Sequence, residues 1–545
     1  HLGGRLNFGA AQSIFRNSTE VRAGLNSETI DSLFERYGPA YRWLATVTCM
    51  VGAMTVVLSM TTVNVAFPDI MGAFSIGRDK AQLLSSGYLA AMTAGMVSAA
   101  WFISILGERR TYAVMLLIFI VGSMMSGVAE SELALNFGRL LQGMAAGVIQ
   151  PLTMAVTFKV FPPHRRGTAM GLYSMGIVLA PAVGPTLGGI AIELFNWRYV
   201  FFLTMPTSAI AVLLGFLFMP SKKLERDIPE FDLLGFALLC CALFNLMLAL
   251  SSGQREGWSS DYIVVLFCIG SGSALAFIIW EHYAPNPLMN MQVFRSARFS
   301  SACIIAFFSG CIFLTSTFLI PVFVQEIQGY TPLRAGYLLM PGGLSLLLFF
   351  PLAGRISDFV PAHVVIATGL LFYCVAFALL YGVDVNTPFW TFVFWTFFIR
   401  FGLACTLPVV NATALKAVPP ELVNQASGSI NLLRQLGAAF GMNCVVAYME
   451  VRIPFHGDAF TAMQFKGNSA SAEMLESTRR LLSEGGVSVS EQSAGALHFF
   501  GEILYAQAST LGYQDAFLTL GLIAFAGLIP VWILARFKEQ PRKGG

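Results

Sequence analysis

Two arginines stand inside apolar stretches that are long enough to cross a bilayer. Arg139 is followed three residues later by Gln142, and Arg434 is followed at once by Gln435. A guanidinium at membrane depth is costly, so each arginine should face a cavity or the interior of a helix bundle and meet a polar partner. These residues predict a polar pathway through a membrane, in which amides, water or an anionic cargo meet the positive charge.

A second polar group lies in the first apolar stretch of the chain. Ser59, Thr62 and Asn64 come close together near the end of that stretch. Hydroxyl and amide groups in membrane helices form ordinary interhelical hydrogen bonds, and they also line cavities. Both uses stay open at this point, and cavity lining would add these side chains to the pathway.

A segment rich in glycine and proline, residues 176–189, lies in the middle of another apolar stretch. A membrane helix tolerates prolines where neighbouring helices satisfy the backbone, and bare glycines let a second helix approach closely. The segment therefore suits either a plain packing face or a gate. For the gate, we expect a bend near Pro181–Pro185 and close packing on a second-half helix through Gly184 and Gly188. The motif consists of Gly176, Pro181, Gly184, Pro185, Gly188 and Gly189.

Composition places the whole chain in a membrane. Of its 545 residues 56% are hydrophobic and 12% charged, against about 25% charged in ordinary globular proteins. The nine cysteines fall in apolar stretches without metal-ligand spacing, so neither a metal site nor disulfides are expected. The sequence contains no phosphate-binding loop and no nucleophile elbow, which argues against an ATPase or an embedded hydrolase. We expect no enzyme activity, no cofactor and no nucleic-acid partner.

Hydropathy predicts fourteen membrane helices and an all-α fold. The first apolar stretch has full membrane length and residues 1–40 are polar, so no cleavable signal is expected. The predicted spans are 41–65, 81–106, 111–129, 134–159, 168–192, 199–219, 231–251, 261–281, 299–324, 332–353, 363–383, 388–410, 422–449 and 514–536.

Lysine and arginine predict the orientation of these helices. Alternate loops carry most of the positive charge, and both chain ends lie on the same side as those loops. The positive-inside rule therefore places both termini in the cytoplasm. The charged inner loops include Arg109 with Arg110, Lys159 with Arg165 and Arg166, Lys222 with Lys223, and Arg295 with Arg298.

The spans divide into a small number of regions. Ile30, Leu33, Phe34 and Tyr37 have helical spacing, which predicts a short amphipathic helix on the cytoplasmic face. The long connection 450–513 predicts an outer segment that lies on the membrane or the protein, or that binds a partner. The predicted regions are 1–40 with the amphipathic helix, a six-helix bundle at 41–220, two extra helices at 231–281, a second six-helix bundle at 299–536 with the outer loop 450–513, and a cytoplasmic tail at 537–545.

Short motifs in a fixed order resemble the major facilitator superfamily, and most closely its fourteen-helix drug:proton antiporters of the EmrB/QacA type. The resemblance covers about residues 40–540. Gly107, Arg109 and Arg110 match the cytoplasmic loop motif, and Gly354 with Asp358 match its second-half copy. The glycine/proline segment matches the antiporter signature, and the arginine-containing segments match the fourth and thirteenth helices.

The resemblance implies two six-helix bundles that rock around a central cavity, with two extra helices between them. It implies secondary active efflux of amphipathic or hydrophobic drug-like molecules across a bacterial inner membrane, coupled to proton antiport, and a role in drug resistance. Arg139 would take part in proton movement and reach the cavity near Ser59, Thr62 and Asn64. Membrane lipid and a small-molecule substrate are the expected partners. A periplasmic adaptor protein and an outer-membrane channel are further candidates.

Two departures from the family pattern bear on mechanism. Ser59 and Ser104 each stand where the family usually has an acid. A carboxyl in a membrane cavity suits proton coupling because burial raises its pKa toward neutral. Of the remaining acids, Glu281, Glu326 and Glu450 come nearest to membrane depth. The loss at position 59 leaves open an exporter of anionic or lipid-like metabolites with weak proton coupling, or a sensor or scaffold that transports nothing.

Overall fold

The computed structural model describes residues 28–221, 230–464 and 468–537. Within these ranges all regular secondary structure is helical. The spanning helices are α1 Tyr41–Val63, α2 and α3 together Arg78–Gly127, α4 Glu132–Val160, α5 Arg166–Leu194, α6 Tyr199–Phe202 with Thr204–Phe218, α7 Leu233–Glu256, α8 Asp261–Tyr283, α9 Ala297–Glu326, α10 Pro332–Phe359, α11 Ala362–Leu380, α12 Phe389–Lys416, α13 Val423–Ala462 and α14 Val489–Ala526 with Leu528–Arg536.

A glycine separates α2 from α3. Thirteen helices in the described ranges are long and apolar enough to cross a membrane, and one of them is interrupted by non-helical backbone at Gly107. Its φ of 73° lies in the left-handed region, which a residue without Cβ adopts at low cost. Thr111, just beyond this glycine, donates back to the Phe102 carbonyl oxygen at 3.0 Å, so two helices meet at Gly107. Counted as two helices, this segment brings the candidate spans to fourteen, and the predicted all-α fold is confirmed.

Two apolar cores organise these helices. One core contains residues of α1, α2, α3, α4 and α6, and the larger one joins α9 to α14 with the C-terminal part of α4 and the first turns of α5. The pair α7 and α8 packs against α2 and α13 through a smaller apolar cluster that contains Val97, Leu243 and Leu432. We call α1–α6 the first bundle and α9–α14 the second bundle.

The two ends of the molecule differ. The end that carries the 107–110 loop and Asp358 is called the motif end, and the opposite end the far end. At the far end α13 runs to Ala462, whereas the sequence predicts an end at 449, and a helix over Ser469–Glu484 follows. Arg452 of α13 lies 2.6 Å from Asp515 of α14, so these two helices stay paired beyond the apolar region.

A short helix precedes α1 at the motif end. It covers Ile30–Tyr37 and contains all four apolar residues from which the amphipathic helix is predicted. Residues 1–27 of the predicted region 1–40, residues 222–229 with Lys222 and Lys223, residues 465–467 of the outer loop and residues 538–545 of the predicted tail lie outside the described residues.

Candidate transport pathway

The Arg139 side chain is enclosed in the first bundle. It is 1% exposed, and its Nη1 donates to Ser59 Oγ of α1 at 3.1 Å and to Gln142 Oε1 at 2.9 Å. Its Nε donates to the carbonyl oxygen of Leu84 in α2 at 3.4 Å. The guanidinium therefore links three helices through neutral oxygens, as the sequence leads us to expect for a charge without a carboxylate neighbour.

An aromatic ring covers the same guanidinium. Its carbon lies 4.2 Å from the ring centre of Tyr88, which is itself buried. A cation over an aromatic face is attracted by the ring quadrupole. The remaining nitrogen, Nη2, is buried and has no hydrogen-bond partner in the described structure. The two N–H groups of this nitrogen are therefore unused, and no carboxylate among the described residues forms an ion pair with Arg139.

The other polar residues predicted near Arg139 turn to different partners. Thr62 donates to the carbonyl oxygen of Leu58 at 3.0 Å in its own helix. Asn64 accepts a 3.1 Å hydrogen bond from Ser85 in α2. The structure thus brings Arg139, Ser59 and Gln142 into one network, whereas Thr62 and Asn64 form separate contacts nearby.

Arg434 forms a comparable network in the second bundle. Its Nη1 donates to Asn411 Oδ1 of α12 at 3.0 Å, and its Nη2 donates to Asn431 Oδ1. The amide of Asn431 reaches across to Met154 Sδ of the first bundle at 3.2 Å. Gln435 is half-buried and takes no part in these bonds. Asparagines rather than the predicted glutamine therefore satisfy this cation.

A third arginine inside an apolar span was not predicted from the sequence. Arg400 of α12 is 7% exposed and donates from Nη2 to Thr317 Oγ1 of α9 at 3.3 Å. Its position inside the predicted span 388–410 could have identified it, since an arginine within an apolar stretch is expected to face a cavity or the interior of the bundle.

The three acids nearest to membrane depth have different surroundings. Glu281 is buried, accepts a 3.1 Å hydrogen bond from the Met289 amide, and keeps one oxygen without a partner in the described structure. Glu326 accepts a 2.7 Å hydrogen bond from the Tyr513 hydroxyl. Glu450 is half-buried. All three lie on other helices than Arg139, and the described structure pairs none of them with it.

The glycine/proline segment packs on α1. A Cβ at Gly184 would collide with Thr61, and one at Gly188 would lie 3.1 Å from the Thr62 carbonyl oxygen. A Cβ at Gly176 would likewise lie 2.8 Å from Met50 Cγ of α1. The prediction that Gly184 and Gly188 contact a second-half helix is therefore wrong, because this face of α5 is occupied by its neighbour in the first bundle.

The rest of that motif is less enclosed. The helix α5 is continuous from Arg166 to Leu194 and contains both prolines. Pro181 is half-buried and Pro185 is exposed, while a Cβ at Gly189 would meet no atom within 4 Å. The predicted bend stays a prediction.

The contact of α5 with the second bundle lies at the motif end. A Cβ at Gly171 would lie 3.2 Å from Gly354 Cα of α10, and one at Gly167 would lie 2.5 Å from the Gly354 carbonyl oxygen. Only glycine allows the two backbones to come this close. The two helices therefore meet backbone to backbone at Gly171 and Gly354, with the Ser357 and Asp358 side chains next to Gly167.

Asp358 caps the start of α5 from the opposite bundle. Its carboxylate accepts hydrogen bonds from the Gly167 amide at 2.7 Å, from the Thr168 amide at 3.0 Å and from the Thr168 hydroxyl at 2.6 Å. The first amides of a helix have no partner within the helix, and the helix dipole favours a negative charge there. The second-half copy of the loop motif thus holds the two bundles together.

The first-half copy has different partners. Arg109 binds Glu28 and the end of α6, and Arg110 is exposed. Beside them, Lys159 of α4 donates to Glu108 at 3.3 Å and to Asn424 of α13 at 2.9 Å. Lys159 therefore connects this loop to the second bundle.

The described hydrogen bonds between the bundles are concentrated at the motif end. On α13 they start within its first nine residues, where Ser427 donates to the Pro151 carbonyl oxygen at 2.8 Å. On α5 they involve the first three residues, which Asp358 caps. The molecule is closed at this end.

Comparison with known proteins agrees with this architecture. The family model described as Major Facilitator Superfamily matches residues 49–442. The chain is 28% identical to the uncharacterized MFS-type transporter YhcA of Bacillus subtilis over 91% of this chain and 92% of that protein. It is 27% identical to the multidrug export protein EmrB of Haemophilus influenzae over 87% and 92%, respectively. It is 28% identical to the lincomycin resistance protein LmrB of Listeria monocytogenes over 72% and 83%.

Solved structures share the fold at low sequence identity. The human organic anion transporter MFSD10 (TETRAN) matches with a TM-score of 0.58 and 13% identity, over 89% of this chain and 99% of that chain. The proton:xylose symporter XylE matches with a TM-score of 0.56 and 12% identity, over 89% and 96%. At this identity the likeness concerns the fold alone.

Proposed function

Since this chain belongs to the Major Facilitator Superfamily, we propose that it is a secondary active exporter of amphipathic or hydrophobic small molecules rather than an enzyme. The observation that carries the proposal is the interface between the bundles at the motif end. Bare glycine backbones meet there and one carboxylate of the second bundle caps the start of α5, so closure depends on backbone contact and a single ionic cap between two separate bundles. Multidrug export relatives that align over most of the chain support drug-like cargo.

We infer that the motif end faces the cytoplasm of a bacterial inner membrane. The concentration of Lys and Arg in the loops at this end supports that orientation. In it, the closed motif end corresponds to an outward-facing state, and opening of the α5–α10 contact would give the inward-facing state. Alternating exposure of one central site by rocking of two bundles is the transport mechanism that this geometry suits.

Proton antiport is part of the proposal, and Arg139 bears on how it works. Its guanidinium contacts a hydroxyl, an amide oxygen, a carbonyl oxygen and an aromatic ring, and none of these groups releases or takes up a proton near neutral pH. A carboxyl elsewhere, such as Glu281, would then carry the proton.

A second candidate function is export of an anionic or lipid-like metabolite with weak proton coupling. The unused Nη2 donor of Arg139 favours it, because a buried guanidinium with a free N–H can bind a carboxylate or phosphate oxygen of a cargo. A sensor or scaffold that moves nothing would keep the same network without flux.

A flux assay separates these functions. The purified protein is reconstituted in liposomes with an imposed pH gradient, and movement of a fluorescent lipophilic cation is compared with movement of a fluorescent amphipathic anion. The Asp358→Ala variant serves as a transport-impaired control. Gradient-driven movement of the cation supports drug antiport, and gradient-independent movement of the anion supports the second candidate. Absence of flux for a folded wild-type protein with every probe would contradict both.

We further propose that the far end binds a periplasmic adaptor, which in turn contacts an outer-membrane channel. The 40 residues of α13 span about 60 Å, about twice the hydrocarbon thickness of a bilayer. The excess helix, paired with α14 through Arg452 and Asp515, projects well beyond the membrane. Exposed apolar side chains on this projection, among them Phe455 and Leu497, offer contact area to a protein partner.

A further inference from the structure

The helix Ile30–Tyr37 is docked on the protein at the motif end. Leu33 is fully buried, and the rings of Phe34 and Tyr41 meet edge to face at 5.0 Å. Tyr37 packs in the same way on Phe218, the last residue of α6, at 5.5 Å. Its apolar face is therefore occupied by the first bundle instead of lipid.

Glu28, two positions before the first residue of this helix, binds the first-half loop motif. Glu28 Oε2 lies 2.5 Å from Arg109 Nη2, and Glu28 Oε1 lies 3.0 Å from Arg36 Nη1. The backbone carbonyl of Glu28 accepts a 2.8 Å hydrogen bond from the Ser221 amide. The Glu28 and Arg109 side chains are 19% and 14% exposed, whereas Arg36 is 61% exposed. The Glu28–Arg109 pair is therefore the enclosed one, where screening by water is weaker.

Arg109 is fixed on its other sides by the end of α6. Its Nε donates to the Met219 carbonyl oxygen at 2.7 Å, and its backbone amide donates to the Pro220 carbonyl oxygen at 3.0 Å. Ser104, where an acid would be expected in this motif, is exposed and donates to the Trp101 carbonyl oxygen of its own helix. Among the described residues, the carboxylate that pairs with Arg109 thus comes from the N-terminal segment.

The loop held in this way is linked to the second bundle through Lys159 of α4. Glu108, next to Arg109, accepts a bond from Lys159, and the same ammonium group donates to Asn424 near the start of α13. A displacement of the loop would remove one of the two partners that place Lys159 against Asn424. Contacts thus run from Glu28 through the 107–110 loop and Lys159 to Asn424, and they connect the N-terminal segment to the interface between the bundles.

We propose that Glu28 is a positioning residue, through which the N-terminal segment holds the 107–110 loop in place and favours closure of the motif end. The proposal rests on the alternating-access function proposed above. It adds a control element outside the bundles to that function. Loss of the Glu28 charge should leave the bundles folded and shift the equilibrium toward the state that is open at the motif end.

The experiment measures closure directly and needs no substrate. Spin-labelled unnatural amino acids are placed at His164 and Glu421, two exposed positions on opposite bundles at the motif end. Pulsed electron paramagnetic resonance in lipid nanodiscs gives the ratio of short to long distances. We expect Glu28→Gln to lower this ratio by about ten-fold, the change that a lost charge-assisted hydrogen bond of ordinary strength produces.

A double-mutant cycle tests the route through Arg109. Arg109→Gln should reproduce the shift, and Glu28→Gln combined with Arg109→Gln should add little to either single change. Arg36→Gln is the matched control, because it removes the exposed partner of Glu28 and leaves Arg109 in place. Unchanged melting temperatures would show that the variants are folded.

Two results would overturn the proposal. One is a Glu28→Gln distance distribution equal to that of the wild type, and the other is additive shifts in the double variant. If the wild type itself shows two distance populations but Glu28→Gln has no effect, the positioning role fails and alternating access stands. If the wild type and every variant show the same single distance, both alone and with each probe added, the two bundles do not alternate between states. That result would count against the transport function.

Discussion

The guanidinium of Arg139 donates a 3.1 Å hydrogen bond to the hydroxyl of Ser59, at the position where the family resemblance leads us to expect an acid. A serine oxygen carries no charge and releases no proton near neutral pH. The contact keeps the geometry of an ion pair between α1 and α4 without its titratable member. The first two predictions test what this replacement does to transport.

Ser59→Asp should restore a titratable group beside Arg139. The new carboxylate would lie within reach of Nη1 and of the unused Nη2, so a stable ion pair is expected in the unloaded protein. Protonation of Asp at this position from the acidic side would weaken that pair, and export of a cationic probe should become several-fold more dependent on the pH gradient. The measurement is the pH profile of flux in liposomes, with Ser59→Ala as the control for loss of the hydroxyl. Identical profiles for wild type and Ser59→Asp would assign the proton to another carboxyl.

Arg139→Gln should impair transport of anionic probes more than of cationic ones. The substitution removes the only charge in this network while Gln142 keeps its 2.7 Å bond to Ser123. Removal of a charged group that contacts an ion costs more than removal of a neutral hydrogen bond, so a loss of at least about ten-fold in anion flux is expected. Arg400→Gln, which removes a buried arginine from the second bundle, is the matched control. Equal losses for both probe classes would show that Arg139 supports structure instead of cargo binding.

Asp358→Ala should open the motif end. The carboxylate satisfies two backbone amides at the start of α5, and loss of such a cap costs about 1 kcal/mol, or about a five-fold shift in population. The same spin-label pair at the motif end would report this shift. Asp358→Asn keeps one acceptor oxygen and should give a smaller change. A closed distance distribution in Asp358→Ala would mean that the glycine contact alone holds the bundles together.

How far the sequence predicts this structure depends on the interaction concerned. Apolar length alone determines the spans, because the bilayer requires about 20 apolar residues for each helix. The extension of α13 beyond 449 was missed, since it is polar and is stabilised by a contact between Arg452 and Asp515, 63 positions apart. The partner of Gly184 was assigned to the wrong bundle, because a bare helix face has no preference of its own. The Glu28–Arg109 pair joins residues 81 positions apart and leaves no periodic signal.

Removal of the helix Ser469–Glu484 should weaken adaptor binding if the far end is a docking surface. This helix connects α13 to α14 outside the apolar region, so its replacement by a short glycine/serine linker should leave membrane insertion intact. The measurement is co-purification with an adaptor protein from a host that encodes one, compared with a variant that carries the exposed substitution Glu473→Gln alone. Undiminished co-purification would remove this helix from the proposed surface.

Gly184→Ala should reduce transport strongly, whereas Gly189→Ala should be tolerated. A methyl group at position 184 would collide with Thr61 of α1, and one at position 189 would meet no atom within 4 Å. The first variant must separate α5 from α1, which changes the position of a helix that also contacts α10 through Gly171. Overpacking of this kind costs roughly 1–3 kcal/mol, so flux should fall by more than ten-fold while the protein still inserts. Flux in liposomes and melting temperature are measured for both variants. Equal flux would show that the contact between α5 and α1 can relax without affecting the transport cycle.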